Sequence, residues 1–187
     1  KTIAQFRLGF APASWDSLSN YLRNSSFTER EIIDAGVVIK RQPSAGIYDR
    51  FRSRIMFPIS DVNGRVVGFT SRVFETRPEF IEGHISPSTH STKPQSGEPV
   101  ESTSSGRQAE EPVAKYINTP QTLIYDKSRI LYSLNHSRGE IRKNDRCLLV
   151  EGNMDAIMSY QAGVANVVAS SGTALTPMHL AILKRYT

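Results

Sequence analysis

From Cys147 to the end, the chain alternates short apolar runs with helical patterns, an order that few folds accept. Cys147 to Val150 reads as a strand, Met154 to Ala162 as a helix closed by Gly163, and Val167 to Ala169 as a second strand. Thr176-Pro177 opens a last helix, with Thr as N-cap and Pro at the first helical position. Strand, helix, strand, helix in so short a stretch implies parallel strands joined by crossover helices.

The first part of the chain follows different rules. Ser14 is placed to cap a short helix running to about Arg23. Thr28 and Glu31 form a capping-box start for a second helix, which ends near Ala35 with Gly36 beyond it. Val37 to Lys40 is β-branched and reads as a strand. Arg54 to Asp61 and Arg65 to Phe74 are apolar-rich runs joined by Asn63-Gly64, a hairpin signal of the type I′ kind. Lys115 to Thr122 reads as extended or looped, and Ser128 to about Arg142 as a helix. The fold class expected is an α+β basic subdomain followed by an α/β, parallel-sheet part.

Between these parts, Arg77 to Ala114 is rich in Ser, Thr, Pro and Gly and poor in apolar residues. Such a segment buries too little surface to offset its ordering entropy, and it reads as a disordered insertion. The organisation expected is therefore 1–76, an insertion at 77–112, a basic loop and connecting helix at 113–146, and 147–187.

Lys and Arg number 23 against 18 Asp and Glu, a net charge of +5, which is compatible with nucleic-acid binding without requiring it. Cys147 is the only cysteine, so an internal disulfide and a cysteine zinc site are both excluded. It reads as a structural thiol. No secretory signal and no apolar run near 18 residues is present, so a cytoplasmic setting without membrane is the default. Both ends read as those of a piece of a longer protein.

Two segments carry chemistry. Lys115-Tyr116-Ile117-Asn118-Thr119-Pro120 offers a cation, an aromatic ring and an amide. Tyr116 could stack on a base or anchor the loop. Val150-Glu151-Gly152-Asn153-Met154-Asp155 puts Glu151 at the carboxyl end of a parallel strand, where ligands of open α/β sheets bind. Asp155 falls in the first turn of the next helix. The two carboxylates could share Mg²⁺, Glu151 could act as a base, or Asp155 could simply favour the helix start. Ser170 to Ala174 leaves the second strand at the same edge, either as a phosphate-binding loop or as a tight turn. Arg50, Arg52 and Arg54 alternate; if extended, they share a face that either holds phosphates or decorates a solvated edge.

Taken together, FRLGFAPASW at Phe6 to Trp15, YDRFRSRIMFPI at Tyr48 to Ile59, GRVVGFTSRV at Gly64 to Val73, KYINTP at Lys115 to Pro120, VEGNMD at Val150 to Asp155, ASSGTAL at Ala169 to Leu175 and LKRYT at Leu183 to Thr187 resemble bacterial primases of the DnaG type. The resemblance runs from within the RNA-polymerase core into the Toprim domain and covers nearly all of the chain except the insertion. It implies a DNA-templated RNA polymerase that makes short primers by metal-dependent nucleotidyl transfer. It implies Glu151 as the catalytic residue and, with Asp155, as a ligand of Mg²⁺ or Mn²⁺, the remaining ligands being expected beyond Thr187. Arg50, Arg52, Lys115, Tyr116, Asn118 and Lys127 are implied to hold nucleic acid or nucleotide. The implied partners are a single-stranded DNA template, ribonucleoside triphosphates, the RNA primer and, through a domain absent here, the replicative helicase at the replication fork in the nucleoid. Zinc is expected only in another absent domain.

Departures from the family pattern temper this. Asn153 stands where an aromatic is usual, Ser171 where a large apolar residue is usual, and Thr70-Ser71 where a Gly-Gly pair is usual. The insertion interrupts the approach to Lys115, and the chain stops before the D-x-D motif. By itself the fragment is expected to be nearly inactive. The alternatives are a non-catalytic single-strand-binding module, or another Toprim enzyme such as a topoisomerase or nuclease.

Overall fold

The computed structural model describes residues 1–41, 46–74 and 114–187. Residues 1–74 and 114–187 make one compact unit. The segment expected to be a disordered insertion, 77–112, lies outside the described residues.

A hairpin organises the first part. Strand β4 (Arg54–Ser60) pairs antiparallel with β5 (Val66–Val73). Strand β1 (Gly9–Ala11) joins the outer side of β4, and β6 (Tyr116–Asn118) joins β5, giving the order β1-β4-β5-β6. Since β1 covers only Arg54 to Met56, Pro58 sits where β4 has no partner on that side, so its missing N–H costs little. The turn is not type I′. Only Gly64 is left-handed (φ 83°), whereas that turn needs a positive φ at Asn63 as well. Instead the Gly64 N–H donates to the Asp61 carbonyl at 3.0 Å, and Asp61 Oδ1 accepts from the Asn63 and Arg65 amides, each at 2.9 Å. The aspartate organises a longer loop that the Asn-Gly pair alone does not specify.

Helix α1 (Thr2–Gln5) precedes β1. Helix α2 (Ser17–Asn24) and helix α3 (Glu29–Asp34) pack beside a ribbon of β2 (Val38–Lys40) and β3 (Ile47–Asp49), with Ile32, Val37, Val38 and Ile47 buried together. Thr28 and Glu31 form the expected capping box. Ser14 does not cap α2, because its hydroxyl donates to Asp16 Oδ1 at 2.8 Å. The buried Asp49 does so from 31 residues away, accepting from the Leu18 and Ser19 amides at 2.6 and 2.9 Å.

The second part is α/β as expected. Strands β7 (Leu148–Val150) and β8 (Val167–Ala169) are parallel and are joined by helix α5 (Asn153–Gln161). Helix α6 (Pro177–Leu183) begins at the N-cap Thr176. The helix expected over 128–142 is shorter. Lys127–Arg129 is a single 3₁₀ turn, and helix α4 spans Leu134–Asn144. Between them Tyr132 exchanges two backbone hydrogen bonds with Ala169, and Ser133 is left-handed at φ 70°, which no α-helix accommodates. Cys147 packs partly buried against the cluster of Leu131, Leu134, Ile141, Val168 and Leu183. Burial pushes its thiol up to about 11, in keeping with a structural role.

One hydrophobic cluster ties both parts together. Phe6, Phe57, Ile59, Tyr125 and Tyr132 are buried with Ala156, Ile157, Val167 and Ala169 of the parallel part. Among the described residues, no helix is long and apolar enough to cross a membrane.

Gly36 combines a left-handed backbone with close neighbours. Its φ is +70°, and a Cβ there would lie 2.9 Å from Thr119 Cγ2 and 3.0 Å from Pro120 Cδ. Gly163 has φ +93° but open space around it. Urea unfolding should show Gly163→Ala costing about 1 kcal/mol from backbone strain alone, and Gly36→Ala costing about 2–4 kcal/mol from strain plus crowding. Equal losses would mean that the Gly36 contact with Thr119-Pro120 carries no weight.

Candidate functional site

The parallel pair ends at a cleft. The Ser170 N–H donates to the Val150 carbonyl at 3.1 Å and the Gly172 N–H to the Glu151 carbonyl at 3.0 Å, which draws the two strand exits together. Leu149, Val150 and Glu151 line one side; Ser170, Gly172, Thr173, Ala174 and Leu175 line the other, around roughly 520 Å³. Glu151 is exposed there. The small-residue loop is a tight turn with Ser171 and Gly172 both at positive φ, 58° and 73°.

Asp155 is at the third position of α5 and folds back on the helix start. Its Oδ2 accepts from the Gly152 N–H at 3.2 Å, and a Cβ on residue 152 would lie 2.8 Å from that oxygen. A side chain at 152 would therefore push this carboxylate aside. The helix-start role of Asp155 is realised, and its carboxylate remains solvent-exposed. Asn153 and Ser171, polar departures just past the two strand exits, meet one another: Ser171 Oγ donates to Asn153 Oδ1 at 2.7 Å, with Asn153 8% exposed. Two carboxylates four residues apart at a strand exit suit a hard divalent cation that keeps water or phosphate oxygens in its remaining positions. Among the described residues, no group of three or more His, Cys, Asp or Glu is arranged to hold a metal by itself.

The basic candidates lie elsewhere, and none of them lines the Glu151 cleft. Lys115 and Tyr116 are exposed at and just before β6, an edge strand among the described residues, Tyr116 at 50%. Thr119 locks this strand to β5: its N–H donates to the Phe69 carbonyl at 2.8 Å, and its Oγ1 accepts from the Phe69 N–H at 2.9 Å. Asn118 lies opposite Thr70, with its Oδ1 buried and lacking a hydrogen-bond partner among the described residues. Lys127 is on the 3₁₀ turn, which Asp126 caps by accepting from the Ser128 N–H at 2.9 Å.

Arg50, Arg52 and Arg54 do not form one face. The chain between β3 and β4 is not extended, and Ser53 is left-handed at φ 50°. Arg50 Nε donates to the Gly36 carbonyl at 2.9 Å. Arg54 is 4% exposed and donates to the Ala114 and Lys115 carbonyls at 2.8 and 3.4 Å, so it supports β6 from within. Burial lowers the pKa of both guanidinium groups. Arg52 donates to the Asp49 carbonyl and lies over the Trp15 ring, 3.9 Å from its centroid, and over Tyr48 at 5.3 Å. Trp15 and Tyr48 are thereby further contact candidates, outside the basic motifs. A lone tryptophan in a polar loop was the available signal, and Trp15 is 56% exposed.

Comparison with known proteins agrees with this architecture. The model for the DNA primase catalytic core, N-terminal domain, matches residues 1–84 and 97–138, and a Toprim domain model matches 145–187. A DNA primase from Synechococcus elongatus is 37% identical over 187 residues, all of this chain. The chain spans about a quarter of the length of the curated relatives it matches, 22%, 26% and 25% for three of them. Among solved structures, the RNA polymerase domain of Mycobacterium tuberculosis primase DnaG aligns with a TM-score of 0.74 at 32% identity, covering 99% of this chain and 49% of that one. A DnaG primase catalytic domain bound to ssDNA aligns with a TM-score of 0.70 at 33% identity, covering 100% and 47%. Matched along both its antiparallel and its parallel part, the chain belongs to the DnaG-type DNA primase catalytic-core family, with a Toprim domain at 145–187.

Proposed function

We propose that this chain is a catalytic-core portion of a DNA primase, a DNA-templated RNA polymerase that joins ribonucleotides into short primers. The observation that carries the reading is Glu151, exposed in the cleft at the carboxyl ends of a parallel strand pair in a chain of primase descent. In the reaction, a 3′-oxygen of the growing primer attacks the α-phosphorus of a nucleoside triphosphate. The bond to the β-phosphate oxygen breaks, pyrophosphate leaves, and the hydroxyl proton passes to solvent or to a base. A divalent ion, Mg²⁺ or Mn²⁺, supplies charge neutralisation at the attacking and leaving oxygens when bound.

Glu151 and Asp155 would contribute oxygen ligands to that ion from one strand exit and one helix start. The Gly152 N–H fixes one Asp155 oxygen, leaving the other for the ion. Lys115, Lys127, Arg50 and Arg52 would hold phosphates of template or triphosphate, Arg50 and Arg52 with the guanidinium N–H groups that the backbone carbonyls do not occupy. Tyr116, half exposed on an edge strand, is suited to stacking on a base, and Asn118 to a nearby polar contact. The proposed partners are single-stranded DNA, ribonucleoside triphosphates, the primer and a replicative helicase. The proposed organisation keeps 1–76 and 113–146 as the basic portion and 147–187 as Toprim.

In the intact primase, Glu151→Gln should lower primer synthesis by about 10²–10³-fold while leaving the Kd for single-stranded DNA within about twofold. Unchanged synthesis would remove Glu151 from the chemistry and favour a binding module. For the chain alone, Lys115→Ala should weaken binding of a labelled single-stranded DNA. It should also flatten the dependence of log K on log salt by about 0.7, the contribution of one released counterion. A slope identical to wild type would show that Lys115 meets no phosphate.

A further inference from the structure

His179 is fully buried, at 0% exposure, in a helix whose other residues are Pro, Met, Leu, Ala and Ile. A buried imidazole is tolerated only when both ring nitrogens are satisfied. Both are. Nδ1 accepts from the Thr176 N–H at 3.3 Å, closing the capping box of α6. That bond leaves the ring proton on Nε2, which lies 2.9 Å from the Lys127 carbonyl and donates to it.

The choice of residue is informative. A capping box ordinarily uses Glu or Gln at this position. Glutamate could accept from the N-cap amide, but it could not donate to a carbonyl 52 residues away in sequence and would bring a buried charge. Thr176 is used twice as well. Its Oγ1 accepts from the His179 N–H at 3.1 Å and donates to the Ser128 carbonyl at 2.9 Å. Two successive carbonyls of the 3₁₀ turn, those of residues 127 and 128, are thus held by the start of α6. From the other side, Asp126 Oδ1 accepts from the Ser128 N–H and hydroxyl at 2.9 and 2.7 Å. The turn is fixed from both ends, while the Lys127 ammonium has no acidic partner among the described residues.

The same helix start ends the loop whose Thr173, Ala174 and Leu175 line the Glu151 cleft. Thr176 is the next residue. The clamp therefore ties the backbone of Lys127 to the rim of the cleft, although Lys127 itself lines none of it.

We propose that Thr176 and His179 are positioning residues for Lys127: they hold its turn against the start of α6 so that its ammonium meets a nucleic-acid phosphate. The inference rests on the reading of Lys127 as a phosphate-binding residue. A double-mutant cycle separates the two claims, using the 187-residue chain and a fluorescein-labelled single-stranded DNA, with Kd measured across a salt series. Lys127→Ala should raise Kd about fivefold and flatten the salt slope by about 0.7. His179→Leu, which fills the space without donating, should do nearly the same. The double variant should bind no worse than Lys127→Ala, and His179→Gln should recover part of the loss.

Thermal unfolding checks that each variant is folded. If His179→Leu is not, Thr176→Val takes its place in the cycle, with Thr176→Ser as the conservative partner. A loss without a slope change, or losses that add in the double variant, would overturn the clamp as a device acting through Lys127. A Lys127→Ala chain that binds with wild-type Kd and slope would overturn the reading of Lys127 itself, and the clamp's purpose with it.

Discussion

Phe57 and Ile59 alternate along β4 so that both point into the cluster holding Ala156 and Ile157 of α5 and Val167 and Ala169 of β8. Each of these large side chains contributes about 1.5–3 kcal/mol by leaving water. The period of two along a strand means that a slip of one residue would lose both at once. The register of the antiparallel hairpin is thereby coupled to the parallel pair, and with it the location of the edge strand β6 relative to the Glu151 exit. The lock between Thr119 and Phe69 passes that register on to Lys115, Tyr116 and Asn118.

Much of the positive charge serves the backbone. Arg54 is buried against the Ala114 and Lys115 carbonyls, Arg50 reaches Gly36, and Arg52 reaches Asp49 while stacked on Trp15. Guanidinium suits this use because it offers five donors in a fixed plane and is more weakly hydrated than ammonium. Net charge thus overstates the cations free for phosphate. The lysines, 115 and 127, lie outside the ion pairs of the described residues.

Elements governed by local rules were legible in the sequence. The Thr28–Glu31 capping box, the Thr176-Pro177 start and the β7-α5-β8 unit all formed where the pattern put them. What was not legible depended on partners distant in sequence. Asp49 caps α2 in place of Ser14, Tyr132 is held by Ala169 so that the helix cannot start at Ser128, and the arginine alternation is broken by a left-handed Ser53. At the candidate site, Glu151 and the Ser170–Ala174 loop do share one edge, as parallel strands require. The bond between Asn153 and Ser171 was beyond reach, since each departure looked isolated until the fold brought them together.

We propose that a divalent ion binds at the Glu151 exit. Paramagnetic broadening by Mn²⁺, followed by NMR on the isotopically labelled chain, tests it most directly. Amide signals of residues 150–155 and 170–173 should broaden first and together at substoichiometric Mn²⁺, and Glu151→Gln should abolish the effect. Broadening centred on other carboxylates, or persisting unchanged in the Glu151→Gln chain, would contradict it.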